Sequence, residues 1–300
     1  MHLPQFFIKQ AQIEEKNIYI KGDDKRHIVC VLRLSCGDKI IVVDEKQNKY
    51  KASIESVNKD YLKAIILSKE KYLCKQVSIN LYASILKGEA WDLVLKKTTE
   101  LGITRLIPVV SERTVIKIKE EDKEYKISRW GRIIQEAAKQ CKRIDIPVLS
   151  PIISFNDAIK SLRACEKINW TNYRAGFLSE FKAHPQVHSK IALYSKDATQ
   201  KSDKKTSENV QVISSQALNT DLNIILWEDE RYVKLKDIFV KKQNIKSINV
   251  FIGPEGGFSK NEISLAEKNQ LKIVKLGNNI LRADTACIAA IAVLLFELDY

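Results

Sequence analysis

The sequence has no apolar run approaching the length needed to span a bilayer, so no membrane-spanning helix is expected. Its first residues, Met1-His-Leu-Pro-Gln-Phe-Phe-Ile8, lack the charged segment and apolar core of a secretory signal, which makes a cytoplasmic location the expectation. Cysteine is sparse: the six, at 30, 36, 74, 141, 165 and 287, show no paired metal-ligand spacing. No metal site is expected from them, and reduced, mostly structural thiols are. Gly-Lys-Ser/Thr is missing, which disfavours a P-loop nucleoside triphosphatase. Nor is there a glycine loop after a domain's first strand with an acidic residue about 20 positions on, as dinucleotide and Rossmann methyltransferase fingerprints require.

Acidic residues are outnumbered, 37 against 50 Lys and Arg, giving a formal net charge of +13. Such an excess draws a polyanion at long range, so nucleic acid is the first partner to consider. A solvated lysine-rich surface explains the charge equally well, and placement must decide. The 300 residues are 45% hydrophobic, an ordinary globular composition with room for two domains.

Residues 1–74 carry short β-like runs between close turn signals: Asn17–Ile20, Lys39–Val43, Tyr50–Ile54 and Tyr61–Leu67. This pattern predicts a small β-rich module or barrel. Within it, His27–Arg33 has helical apolar spacing, and Lys25, Arg26, His27 and Arg33 form a basic helix suited to phosphate. From Val77 the texture alternates. Strands are expected over Val77–Ile85, Arg105–Val110, Asn223–Trp227, Ile248–Ile252 and Lys272–Leu276. Helices are expected over Glu89–Leu101, Ser128–Cys141 and Asp284–Leu298, giving an α/β domain over 75–300 with a mainly parallel sheet. The polar stretch within 166–220 reads as an insertion. The tryptophans are assigned to core packing.

Near the C-terminus, Phe251-Ile-Gly-Pro-Glu-Gly-Gly-Phe258 and Leu276-Gly-Asn-Asn-Ile-Leu-Arg-Ala-Asp-Thr-Ala286 each follow an apolar strand. Open α/β sheets bind ligands at such strand ends. Either loop alone reads equally as a strand-to-helix turn, because Ser259-Lys-Asn-Glu262 has the spacing of a capping box. Two together favour a site built from Leu226, Trp227, Glu228, Ile252, Gly253, Pro254, Glu255, Gly256, Gly257, Leu276, Gly277, Ile280, Leu281, Arg282, Thr285 and Ala286. Such a pocket suits a flat adenine among backbone amides and leucines.

Gly253-Pro-Glu-Gly-Gly257 with Leu276-Gly and Leu281-Arg-Ala-Asp-Thr-Ala286 resembles the RsmE family, SPOUT methyltransferases that methylate N3 of one uridine in 16S ribosomal RNA. The likeness extends to Lys87-Gly-Glu, Lys97–Gly102, Ser111-Glu-Arg113, Glu136–Arg143 and His27–Arg33 with Gly37-Asp38. It implies a PUA-like N-terminal RNA-binding domain, a trefoil-knotted methyltransferase domain holding S-adenosylmethionine, and a homodimer that completes each site. The chain departs from the family's Leu-Arg-Thr-Glu-Thr-Ala at Ala283 and Asp284, which favours an N-cap role for Asp284 over a catalytic one.

Methyl transfer to N3 of uracil must also remove a proton. The candidates are Arg113 or Arg282 to stabilise charge on the uracil carbonyls, and Glu136, Glu255 or Asp284 to accept or relay the proton. A phosphate contact for Arg113 and a loop-orienting bond for Glu255 are equally open. Lys139, Lys142 and Arg143 join the N-terminal basic residues as candidate RNA contacts, with 16S rRNA in the small ribosomal subunit as the partner. A related enzyme acting on another RNA position, such as a ribose hydroxyl, and a non-enzymatic RNA-binding or ribosome-assembly protein are the competing readings.

Overall fold

A computed structural model describes residues 3–71, 77–164, 220–230, 232–240 and 245–298. Apart from Thr220, the expected insertion lies outside the described residues.

The first sheet has six strands, β1 (Gln5–Phe7), β2 (Ile13–Glu14), β3 (Asn17–Lys21), β4 (Lys39–Val43), β5 (Asn48–Val57) and β6 (Tyr61–Lys71), in the order β1-β4-β5-β6-β3-β2. Their pairings are antiparallel except β1 with β4. Alternate residues of each strand, such as Ile18 and Ile20 or Ile40 and Val42, point into one apolar core, as a sheet with a single packed face requires. The expected helix at His27 begins earlier. An α-turn over Gly22–Arg26 runs into a π-turn over His27–Val31, which drops Ile28 into the core at 0% exposure. A buried hydroxyl and carboxylate pair sits at the β4–β5 hairpin of this module: burial and Asp44 push the Tyr50 phenol up to about 12.

The second sheet contains β7 (Ser78–Ser84), β8 (Arg105–Val110), β9 (Val148–Leu149), β10 (Ile153–Ser154), β11 (Thr220–Leu226), β12 (Ile245–Ile252) and β13 (Lys272–Val274). The order is β10-β8-β7-β12-β11-β13, with β9 beside β8, and every pairing is parallel. Both faces are covered. Leu81, Ile224, Val250 and Ile252 look toward one core, and Tyr82, Ile225 and Phe251 toward the other. Burial on both sides explains why these strands read as continuous apolar runs rather than alternating ones. Tyr82 stacks on Phe251 with ring centres 4.2 Å apart. The first core is closed by helices Glu89–Leu101, Glu120–Gln140 and Ala283–Glu297, where Trp91 meets Trp130 edge to face. The second is closed by helices Phe155–Ala164 and Lys260–Lys268.

The helix expected from Ser128 starts at Glu120, because Glu120, Glu121 and Asp122 fill its first turn, where acidic side chains favour the helix N-terminus. The short strands β1, β2, β9 and β10 and the helix Phe155–Ala164 lie outside the expected pattern.

Two basic residues assigned to RNA have internal partners instead. Arg143 is 9% exposed; its guanidinium donates to Thr99 O at 2.7 Å, to Ile103 O at 2.9 Å and to the Asp145 carboxylate. It thereby satisfies carbonyls where the helix Glu89–Leu101 ends at Gly102 (φ 109°). Lys139 Nζ holds Asp24 Oδ1 at 2.9 Å and Glu136 Oε1 at 3.0 Å, and sits 5.9 Å from the centre of the Phe6 ring. Burial alone would depress this ammonium, yet Asp24 and Glu136 together hold it above its ordinary value. Both residues join the two sheets, since the Gln5 amide also donates to Arg143 O. Replacing Arg143 with alanine removes the buried donor shared by the Thr99 and Ile103 carbonyls and the charge facing Asp145. It should lower stability by about 3–5 kcal/mol, measured by urea unfolding.

Candidate active site

β11 lies between β12 and β13, with Ile225 level with Phe251 on one side and Leu226 level with Val274 on the other. Since all three strands run the same way, their carboxyl ends open at one edge of the sheet. A cavity lies there. It is lined by Leu226, Trp227 and Glu228 after β11, by Ile252, Gly253, Pro254, Glu255 and Gly257 after β12, and by Lys275 to Leu281 after β13. Ala283 and Ala286 of the terminal helix complete it. Of the residues assigned to the site, Gly256, Arg282 and Thr285 do not line the cavity; Lys275, Asn278, Asn279 and Ala283 do and were not assigned. The two asparagines sat inside the quoted loop, and their amides were the available signal.

The loop after β12 both lines the cavity and leads into a helix start. Gly257 adopts φ +65°, and its amide closes a turn onto Pro254 O at 3.0 Å. Two residues on, the expected capping box is present: Glu262 N donates to Ser259 Oγ at 3.2 Å and Ser259 N to Glu262 Oε2 at 2.9 Å. Neighbouring segments clamp the loop. Lys87 N donates to Glu255 Oε1 at 3.1 Å, Glu112 N to Glu262 Oε1 at 2.8 Å, and Arg113 Nη1 to Gly256 O at 2.9 Å.

Arg113 is thus fastened to the loop that lines the cavity, though neither it nor Gly256 is a lining residue. Arg282, exposed, occupies the N-cap position of the helix Ala283–Glu297 without a side-chain cap bond. Asp284 therefore sits in the first turn rather than at the N-cap, where Oδ1 accepts from Thr285 N at 2.7 Å. The cap is two residues earlier than expected, because Arg282 has the extended backbone a cap requires. Glu136 does not line the cavity; it stays on the helix Glu120–Gln140 beside Lys139. Beneath the helix start, burial raises the Cys287 thiol, with Asp284 adding to it, so this cysteine is an inert filler.

Among the basic candidates of the first sheet, Lys25 donates to Lys59 O at 2.6 Å, while Arg26 and Arg33 are exposed. His27 is half-buried with its ring edge-on to Phe6. Lys142 is exposed at φ +59°. Among the described residues no group of acidic, histidine or cysteine side chains is arranged to hold a metal ion.

A Cβ on Gly257 would lie 1.9 Å from Glu228 Oε1, but that atom ends a flexible side chain and can swing aside. The left-handed backbone cannot. Gly257→Ala should therefore cost about 1–2 kcal/mol of stability whether or not Glu228 is also alanine, a comparison that thermal unfolding of the single and double variants provides.

A family model described as an RNA methyltransferase domain matches residues 74–194 and 195–295, and one described as an RNA methyltransferase PUA domain matches 20–67. The chain is 29% identical over 170 residues to ribosomal RNA small subunit methyltransferase E of Bacillus subtilis, covering 55% of this chain and 66% of that protein. It is 24% identical over 294 residues to the protein of that name from Rickettsia conorii, covering 97% and 95%. A ribosomal RNA small subunit methyltransferase E from Neisseria gonorrhoeae, solved bound to S-adenosyl methionine, superposes with a TM-score of 0.71 at 24% identity over 98% of each chain. That likeness speaks for the fold. With family models matched over both sheets, and methyltransferase E relatives aligned along nearly all its length, the chain belongs to the RsmE family of RNA methyltransferases.

Proposed function

We propose that this protein transfers the methyl group of S-adenosylmethionine to N3 of a specific uridine in 16S ribosomal RNA, within the small ribosomal subunit. One observation carries the reading. The loops at 253–257 and 276–286, which bear the family motifs, face one cavity, and Arg113 is fastened to the first of them at Gly256. The donor fits the residues present: backbone amides and apolar side chains such as Leu226, Ile252 and Leu281 suit an adenine, and Glu228 offers a carboxylate to polar groups or positive charge. Bound there, S-adenosylmethionine supplies an electrophilic methyl group on a sulfonium.

The chain's own task is then positioning and charge stabilisation. Arg113 spends one donor on Gly256 O and offers the rest of its guanidinium to the negative charge that develops on the uracil carbonyls. Glu255 takes the loop-orienting role, since it already accepts from Lys87 N. Asp284, in the helix turn between cavity-lining Ala283 and Ala286, accepts the N3 proton. The target atom lies on the Watson–Crick edge, so the base enters unpaired.

Residues 1–74 act as the PUA-like RNA-binding domain and 75–300 as the knotted methyltransferase domain with an insertion at 166–220. Lys25, Arg26, His27, Arg33 and Lys142 serve the phosphate backbone. The protein works as a cytoplasmic homodimer. A terminal helix that is apolar all round, with Phe296 80% exposed, supports a second copy covering its outer side. Among the described residues no helix is long and apolar enough to cross a membrane.

Mass spectrometry of rRNA from a deletion strain tests the reaction: one 16S fragment should lose an N3-methyluridine that the wild-type gene restores. A missing ribose methyl would instead favour the related enzyme, and no missing methyl the pure RNA binder. In vitro, Arg113→Ala should lower kcat by about 10²-fold or more with the cofactor Kd nearly unchanged, since the lost contact is made to developing charge. Single-turnover methylation and isothermal titration measure the two quantities.

A further inference from the structure

Glu262 does more than cap a helix. It is 7% exposed, and its two carboxylate oxygens are divided between distant segments. Oε2 accepts from Ser259 N at 2.9 Å, within its own helix start, whereas Oε1 accepts from Glu112 N at 2.8 Å, 150 residues earlier in the chain. A helix-capping carboxylate needs only the first of these bonds. The second fixes the backbone one residue before Arg113, in a turn that Ser111 and Thr114 already close on themselves, with Ser111 N donating to Thr114 Oγ1 at 2.9 Å. Arg113 then returns across the gap to Gly256 O at 2.9 Å. The two cross-links, six residues apart on one side and adjacent on the other, make a closed ring of covalent and hydrogen bonds: 112 to 113, across to 256, along the chain to 262 and back to 112.

We propose that Glu262 is a positioning residue for methyl transfer, which acts through Glu112 to hold the Arg113 guanidinium in register with the cofactor loop. This rests on the reading of Arg113 given above. A buried carboxylate suits the task because it accepts both amides at full strength in a fixed plane, and charge-assisted bonds of this kind are the strong ones. With the turn anchored at Glu112 N and the guanidinium at Gly256 O, the arginine and the segment 256–262 are tied into one unit.

E262Q keeps the size and shape of the side chain but removes its charge and leaves one oxygen for the Ser259 and Glu112 amides, so the bond to Glu112 is either lost or weakened to a neutral one. Its kcat on RNA should fall by about 10- to 10²-fold, as expected of a misplaced catalytic contact, while the Kd for S-adenosylmethionine changes by less than about threefold. Added to R113A, the same substitution should lower kcat no further, because the group it positions is gone. Hydrogen exchange of the peptide containing Glu112 should accelerate in E262Q, a readout that needs no turnover. Equal losses in the wild-type and R113A backgrounds, or a kcat loss matched by weakened cofactor binding, would show a general structural role and overturn the proposal. So would unchanged exchange at Glu112. Wild-type protein that methylates no rRNA, with exchange still accelerated, would instead overturn the reaction while leaving the positioning contact in place.

Discussion

Parallel pairing of β11 with β12 on one side and β13 on the other is the constraint on which the site depends. Parallel neighbours cannot be joined by a tight turn, so each connection must leave the sheet, cross a face and return. The crossover from β12 to β13 carries the helix Lys260–Lys268, and the chain leaving β13 carries the terminal helix to the opposite face. Three exits from the sheet consequently meet at one edge with helices already committed on either side. The loops between them have little freedom left. The cavity is what remains when those exits are packed.

Much of this was legible in the sequence because local signals agreed with the final packing. Gly102 ends the helix Glu89–Leu101 as a glycine at that spacing should, and the apolar runs over Arg105–Val110 and Ile248–Ile252 are strands. The glycines and Ser259-Lys-Asn-Glu262 offered a ligand loop or a helix cap; the glycine loop lines the cavity and the cap follows it directly. Where reading failed, the deciding partner was far away in sequence. Arg143 looks like a solvated charge after a helix, yet its acceptors are carbonyls about forty positions earlier, 44 and 40 residues away. Lys139 similarly finds Asp24 across 115 residues. No periodicity encodes such pairings. The N-terminal part of the helix Glu120–Gln140 failed for a different reason: its charged first turn carries no apolar stripe, and only the complementarity of acid to a helix start marks it.

Basic residues in this chain therefore divide by neighbourhood rather than by sequence context. Lys139 and Arg143 cement the two sheets, whereas Arg26, Arg33 and Lys142 face solvent nearby. The net charge of +13 draws RNA toward the molecule as a whole. The buried pair, by contrast, forms the joint between the two sheets. Gln5 and Phe6 add an amide and an aromatic ring to that joint, so the attachment is not purely ionic and is less exposed to screening by salt.

The contact between Gln5 and Arg143 spans 138 residues and has a consequence for synthesis on the ribosome. Strands between residues 5 and 71 can pair with one another as soon as they emerge, because every partner in that sheet lies within the same stretch. Their docking platform does not exist until the helix ending at Gln140 has left the exit tunnel, and the cavity has no far wall until the helix Ala283–Glu297 follows. The nascent protein thus acquires its parts in a fixed sequence, the first sheet early and the cavity last. A chain cut short before Ala283 would carry a finished first sheet beside a cavity open on the side that Ala283 and Ala286 close.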